Sequence, residues 1–262
     1  MNKIKTIIRK EWAEVFKNKM VLFTVAFLPL MMTAIPLVIL YAMRADSAQS
    51  IGGDIPSEFS AFCPQELSSR DCLQVYLVSQ FMIMFMILPL AIPATISAYS
   101  IVGEKTTRSL EPLLATPITT MELLMGKSLA AVLPAVLVTY LAFLIFAIGA
   151  WIITPDPVLL SALLDARWLL AVIVVGPLMA LLAVFVSVMV SSRVNDPRVA
   201  EQLSMVVILP VLGIFFGQLA GLFIIDRQLI IVSAFILLIL DVFLMFLAIK
   251  LFQRETILTR WK

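Results

Sequence analysis

The chain has 262 residues, 62% of them hydrophobic and only 14% charged, with a formal net charge of +2 and no histidine. That balance lies far from a soluble globular domain and places the chain among integral membrane proteins, with no nucleic-acid partner expected. The missing histidine excludes a Ser-His triad, His acid/base chemistry and His metal ligation, and two cysteines alone make no metal cluster, so neither an enzyme nor a metal site is expected.

In chain order, residues 1–19 come first. Ile4, Ile7, Ile8, Trp12, Val15 and Phe16 recur at helical spacing, with Lys3, Lys5, Arg9, Lys10, Glu14 and Lys17 mostly on the other side. The pattern predicts an amphipathic interfacial helix on the inner membrane surface, where basic residues meet anionic lipid; a solvated helix end is the alternative. A helix must stay apolar for about 20 residues to cross about 30 Å of hydrocarbon, and 20–43 is the first such run. At 24 residues it is too long for the apolar core of a cleaved signal peptide, about 7 to 15 residues, so it is read as a retained span.

An extracytoplasmic loop, 44–75, follows. It holds Cys63 and, near its end, Cys72, the only cysteines, on the side where disulfides persist; a small loop staple or two free thiols both fit. Further spans are expected at about 76–102, 128–153, 168–191, 203–225 and 229–250. None alternates at strand length, so the fold class is an all-α integral membrane bundle of six transmembrane helices, not a barrel.

Several positions inside the spans stand out. Pro29, Pro36, Pro89, Pro93, Pro134, Pro177 and Pro210 each remove a backbone donor and invite a kink, although membrane helices tolerate proline routinely. Gly213, Gly217 and Gly221 form a doubled G-x-x-x-G, a face for close packing within the subunit, in a dimer, or along a conduit. Gln80 and Gln218 are polar enough to line a path. Asp241 lies near the middle of the last span, where a charge costs about 2.5–3.5 kcal/mol on insertion scales. It is either an ion or proton site or a neutral residue that pins packing.

Lys and Arg counts set the orientation. With both termini in the cytosol, the segments facing it hold fifteen basic residues, and the outer loops hold only Arg44, Arg70, Arg167 and Arg227. Segment 103–127 then lies on the cytoplasmic side. Its Ser109 is a plausible N-cap, Pro112 is tolerated in the first turn, and Thr116 before Pro117 ends a short helix over 109–115. Thr119 and Glu122 form a capping box that opens the next helix. Gly126-Lys127-Ser128 imitates the end of a phosphate-binding loop, but Met121 stands where the motif needs its first glycine. No polar segment reaches the roughly 50 residues of a small domain, so any ATP would be bound elsewhere.

The string GEKTTRSLEPLLATPITTMELLMGK resembles the segment after the second span in permeases of the type-2 ATP-binding-cassette exporter family. The matching elements are Glu104-Lys105, Ser109-Leu110-Glu111, Leu113-Leu114, Thr116-Pro117 and Gly126-Lys127, with Arg108 where many members have glycine. RKEWAEVFKNK before the first span and LFQRETILTRW after the last resemble the family's entry helix and tail. The resemblance implies a multi-pass protein of the cell membrane that pairs with a second permease subunit, identical or related. It has no cofactor of its own, because a separate soluble ATPase binds ATP and Mg. It makes 109–115 the coupling helix, with Ser109, Leu110, Glu111, Leu113 and Leu114 against that ATPase, and puts Gln80, Gln218, Gly213, Gly217 and Gly221 near a path between subunits. Cargo is not implied. The competing readings are an ion-coupled carrier or channel that uses Asp241, and a membrane scaffold that transports nothing.

Overall fold

A computed structural model describes residues 2–44, 67–106 and 118–251. Eleven α-helices run through these residues: α1 (Asn2–Val15), α2 (Lys19–Arg44), α3 (Ser69–Phe85), α4 (Leu88–Thr106), α5 (Thr120–Ile153), α6 (Pro157–Leu163), α7 (Ala166–Leu170), α8 (Gly176–Ser191), α9 (Pro197–Ser204), α10 (Leu209–Leu219) and α11 (Arg227–Leu251). Grouped by continuity, they give six stretches long and apolar enough to cross a membrane, namely Val21–Met43, Ser69–Thr106, Met121–Ile153, Pro157–Ser191, Pro197–Leu219 and Arg227–Leu251. The protein is an all-α membrane bundle.

The second stretch is the most enclosed, with 78% of its most apolar window buried, whereas the last has 11%. The interior is therefore built around α3 and α4. Helix α4 packs against α5, α8 and α9, α2 lies along α5, α3 meets α10, and α11 lies on α8. The outward sides of α2, α5, α10 and α11 carry Phe23, Leu30, Trp151, Phe216, Phe235 and Ile239, all exposed, as lipid-facing surfaces do.

Helix ends depart from the apolar runs for local reasons. Helix α3 starts at Ser69, ahead of the uncharged run, because Ser68 caps it by accepting from the Asp71 N–H at 3.2 Å. The fifth stretch starts at Pro197, where Asp196 accepts from the Arg198 N–H at 2.7 Å and proline occupies the first turn. It stops at Leu219. Gly221 has φ 71°, the Leu222 N–H donates to the Gly217 carbonyl at 2.9 Å and the Gly221 N–H to Gln218 at 3.0 Å, the paired bonds of a glycine-terminated helix.

Prolines mark the breaks. Pro89 follows the turn between α3 and α4, and Pro177 follows a π-helical turn at Ala171–Val175. Proline at 177 leaves the Ile173 carbonyl without its usual donor four residues on, and the Tyr140 hydroxyl of α5 donates to it at 3.0 Å. Pro134 does the same to Ala130, whose carbonyl takes a bond from the Trp12 indole N–H at 2.8 Å. Both orphaned acceptors are thus satisfied by aromatic donors, one on a neighbouring helix and one from α1.

Candidate functional site

Helix α1 presents Ile7, Glu11 and Val15 as its buried positions, a spacing of four that makes one stripe. Two of the three are apolar, as an amphipathic helix requires. The third is a carboxylate with 3% of its side chain exposed. Burying it is unfavourable unless a cation and hydrogen bonds compensate it, and the compensation comes from Lys127 of α5, 2.8 Å away.

Lys127 is itself 4% exposed and is the centre of a charged knot. Its ammonium donates to Glu11 and, at 3.0 Å, to Ser100 of α4, and forms an ion pair with Glu104 of α4 at 2.7 Å. The Ser100 hydroxyl donates a hydrogen bond to the other oxygen of Glu11, and Lys10 pairs with Glu104 while lying 3.5 Å from Glu14. Two buried carboxylates thus face two ammonium groups, and the knot is neutral overall. At Lys10, partial burial favours the uncharged amine, but Glu104, Glu11 and Glu14 together outweigh it and raise the pKa above 10.5, so Lys10 stays charged at ordinary pH.

The knot joins three helices, two of which flank one segment. Glu104 lies near the end of α4, before 107–117, and Lys127 lies two turns into α5, after it. The residue beside Glu104 turns the other way, because Lys105 donates to the carbonyls of Ser192, at 3.5 Å, and Val194, at 3.3 Å, beyond the end of α8. Thr95 donates to Glu201 of α9 at 2.7 Å, one more tie on α4. At the start of α5 the predicted capping box is present. Thr119 accepts from the Glu122 N–H at 3.2 Å, and Glu122 accepts from the Thr119 N–H at 2.9 Å.

The residues singled out from the sequence fall into three groups. Ser109, Leu110, Glu111, Leu113 and Leu114, and with them Cys63, lie outside the described residues; Cys72 is disulfide-bonded. Gln80 and Gln218 are both buried, and neither amide oxygen has a hydrogen-bond partner among the described residues. Ile83 of α3 and Met86 just past its end share an apolar cavity with Val211 and Ile214 of α10. Asp241 is buried on the inner stripe of α11, with no partner at either oxygen among the described residues.

The three glycines do not form one helical face. Gly213 has nothing near the position of a Cβ, Gly217 makes room for the Phe223 ring, which would lie 2.6 Å from a Cβ there, and Gly221 is the helix stop. Sequence reasoning missed Glu11 and Ser100. The available signal for Glu11 was a charged residue in the apolar stripe of α1, where only pairing explains its presence.

Comparison with curated proteins finds no match. The family described as ABC-2 family transporter protein matches residues 5–228, from the first turns of α1 into the start of α11. Since that match takes in five of the six membrane stretches and all three helices that meet at Lys127, the chain belongs to the ABC-2 transporter family and is a multi-pass membrane permease.

Proposed function

We propose that this permease is one half of an ATP-binding-cassette exporter, working as a dimer in the cell membrane with both termini in the cytosol. A separate soluble ATPase binds ATP and Mg and docks on segment 107–117, with Ser109, Leu110, Glu111, Leu113 and Leu114 making the contact. The supporting observation is how the helices on either side of that segment are tied together: Glu104, near the end of α4, and Lys127, two turns into α5, pair with each other and with Lys10 and Glu11 of α1, so α1, α4 and α5 would respond together to a push on the segment. A loop that merely rested on lipid would gain nothing from such buried ionic anchors, each of which removes a charge from water.

Gln80 and Gln218 fit a polar station along the path. Buried amides with unused acceptors are costly unless a water or a polar group of the cargo meets them, at about 1–3 kcal/mol each.

The test is the double variant Leu113→Asp, Leu114→Asp, with ATP hydrolysis measured in the permease–ATPase complex. Stimulation of the ATPase should disappear while the helix content of the permease is unchanged. Full stimulation by the double variant would refute the docking assignment.

A further inference from the structure

At the end of α5 remote from Lys127, four helix ends meet around a cavity of about 240 Å³. The first and third membrane stretches stop there, at Met43 and Ile153, and the second and fourth begin there, at Ser69 and Pro157. Four apolar stretches that end at one level mark a membrane boundary. The exposed Tyr41 and Trp151 stand two residues before Met43 and Ile153, as interfacial aromatics do. The cavity therefore lies at the depth of lipid headgroups.

Leu40, Met43 and Leu159 make part of its lining apolar, and the remainder is polar. Gln74 of α3 is only 7% exposed and Thr154 only 6%, and both line the cavity. Among the described residues neither side chain makes a hydrogen bond, so the cavity is the space in which the Gln74 amide and the Thr154 hydroxyl find a partner. Asp71 takes the Ser68 hydroxyl at 2.6 Å and Asp156 the Val158 N–H at 2.8 Å, but among the described residues neither carboxylate has an ion pair. Arg70, which donates to the Met43 carbonyl at the end of α2, puts one positive charge on the same lining. Negative charge is thus in excess. Water alone satisfies an amide but leaves that charge uncompensated, whereas a primary ammonium brings three donors and a charge to Asp71, Gln74 and Thr154. A trimethylammonium has no donor and is held by aromatic faces, and no aromatic ring lines the cavity among the described residues.

We propose that this cavity binds the aminoethyl phosphate headgroup of a phospholipid. The ammonium sits among Asp71, Gln74 and Thr154, and the phosphate lies on the side of Arg70. The site takes phosphatidylethanolamine in preference to phosphatidylcholine, which lacks the donors, and to phosphatidylglycerol, which lacks the cation. It is separate from the segment assigned to the ATPase and does not depend on that assignment.

The test is native mass spectrometry of the full chain in detergent, with pairs of these lipids of identical acyl chains. The wild-type protein should retain phosphatidylethanolamine over phosphatidylcholine by at least about tenfold, the equivalent of one hydrogen bond to a charged group. Asp71→Asn and Gln74→Leu should each bring that ratio close to one, with thermal melts without lipid reporting whether the variants are folded. Ethanolamine at the concentration of the lipid should leave the wild-type ratio unchanged. Equal retention of the two lipids by the wild-type protein, or a preference that survives both substitutions, would overturn the proposal. A ratio that ethanolamine abolishes would overturn it too, by making the ligand a soluble amine. The wild-type measurements decide the matter even if neither variant folds.

Discussion

Lys127 donates to Glu11 and Ser100, pairs with Glu104 and has almost no contact with solvent, and removing it would leave the buried Glu11 and Glu104 with only the half-exposed Lys10 to share. Breaking a buried ion pair from one side costs about 3–5 kcal/mol, so Lys127→Met should lower the thermal stability of the detergent-solubilised protein by that order. The glycines offer a sharper contrast. Gly126→Ala must push against Ile7 and should cost about 1–3 kcal/mol, as overpacking does. Gly213→Ala meets nothing within 4 Å and should stay within about 0.5 kcal/mol of wild type. Melting curves of the two variants side by side check this, and equal losses would contradict the packing at Gly126. The Thr119–Glu122 box was legible in advance because it is a local pattern of three-residue reach. The Glu11–Lys127 pair was not, because its partners are 116 residues apart and charge pairing across a fold leaves no period in the sequence.

For the helices, the prolines are the instructive elements. The sequence marks where a donor is missing but not which neighbour replaces it, and at Pro134 and Pro177 the replacements are Trp12 and Tyr140. In Pro134→Ala the backbone N–H returns to the Ala130 carbonyl, so the Trp12 bond loses its purpose. Trp12→Phe should therefore cost about 0.5–1.5 kcal/mol in the native background and measurably less beside Pro134→Ala, a non-additivity that thermal melts of the four proteins can read. The ends of the fifth stretch show the same divide. Its start at Asp196-Pro197 follows ordinary capping rules but was masked by Arg198 and Glu201, which interrupt the apolar run. Its end at Gly221 was hidden because three glycines at intervals of four read as a packing face, and only the backbone shows that the last one is left-handed. Gly221→Ala should cost about 1 kcal/mol for that reason.

For the molecule as a whole, the six-helix membrane architecture was readable from the lengths of the apolar runs, since hydrocarbon thickness sets them directly. Which helices form the interior was not, because in lipid both the inner and outer faces are apolar and periodicity fades. The segment resembling a coupling helix is recognisable by its residues, and what the fold adds is the pairing of Glu104 with Lys127 between the helices that flank it. Asp241 belongs to this scale as well. If transport is driven by a separate ATPase, Asp241→Asn should leave ATP-coupled activity unchanged, whereas an ion-coupled carrier would lose its gradient-driven flux. The most direct measurement is ATP hydrolysis by a soluble cassette ATPase co-expressed with the chain, reconstituted in lipid with and without it. The account predicts that the two proteins copurify, that the chain stimulates hydrolysis, and that Leu113→Asp with Leu114→Asp removes the stimulation. An ATPase that neither binds the chain nor responds to it would contradict the account.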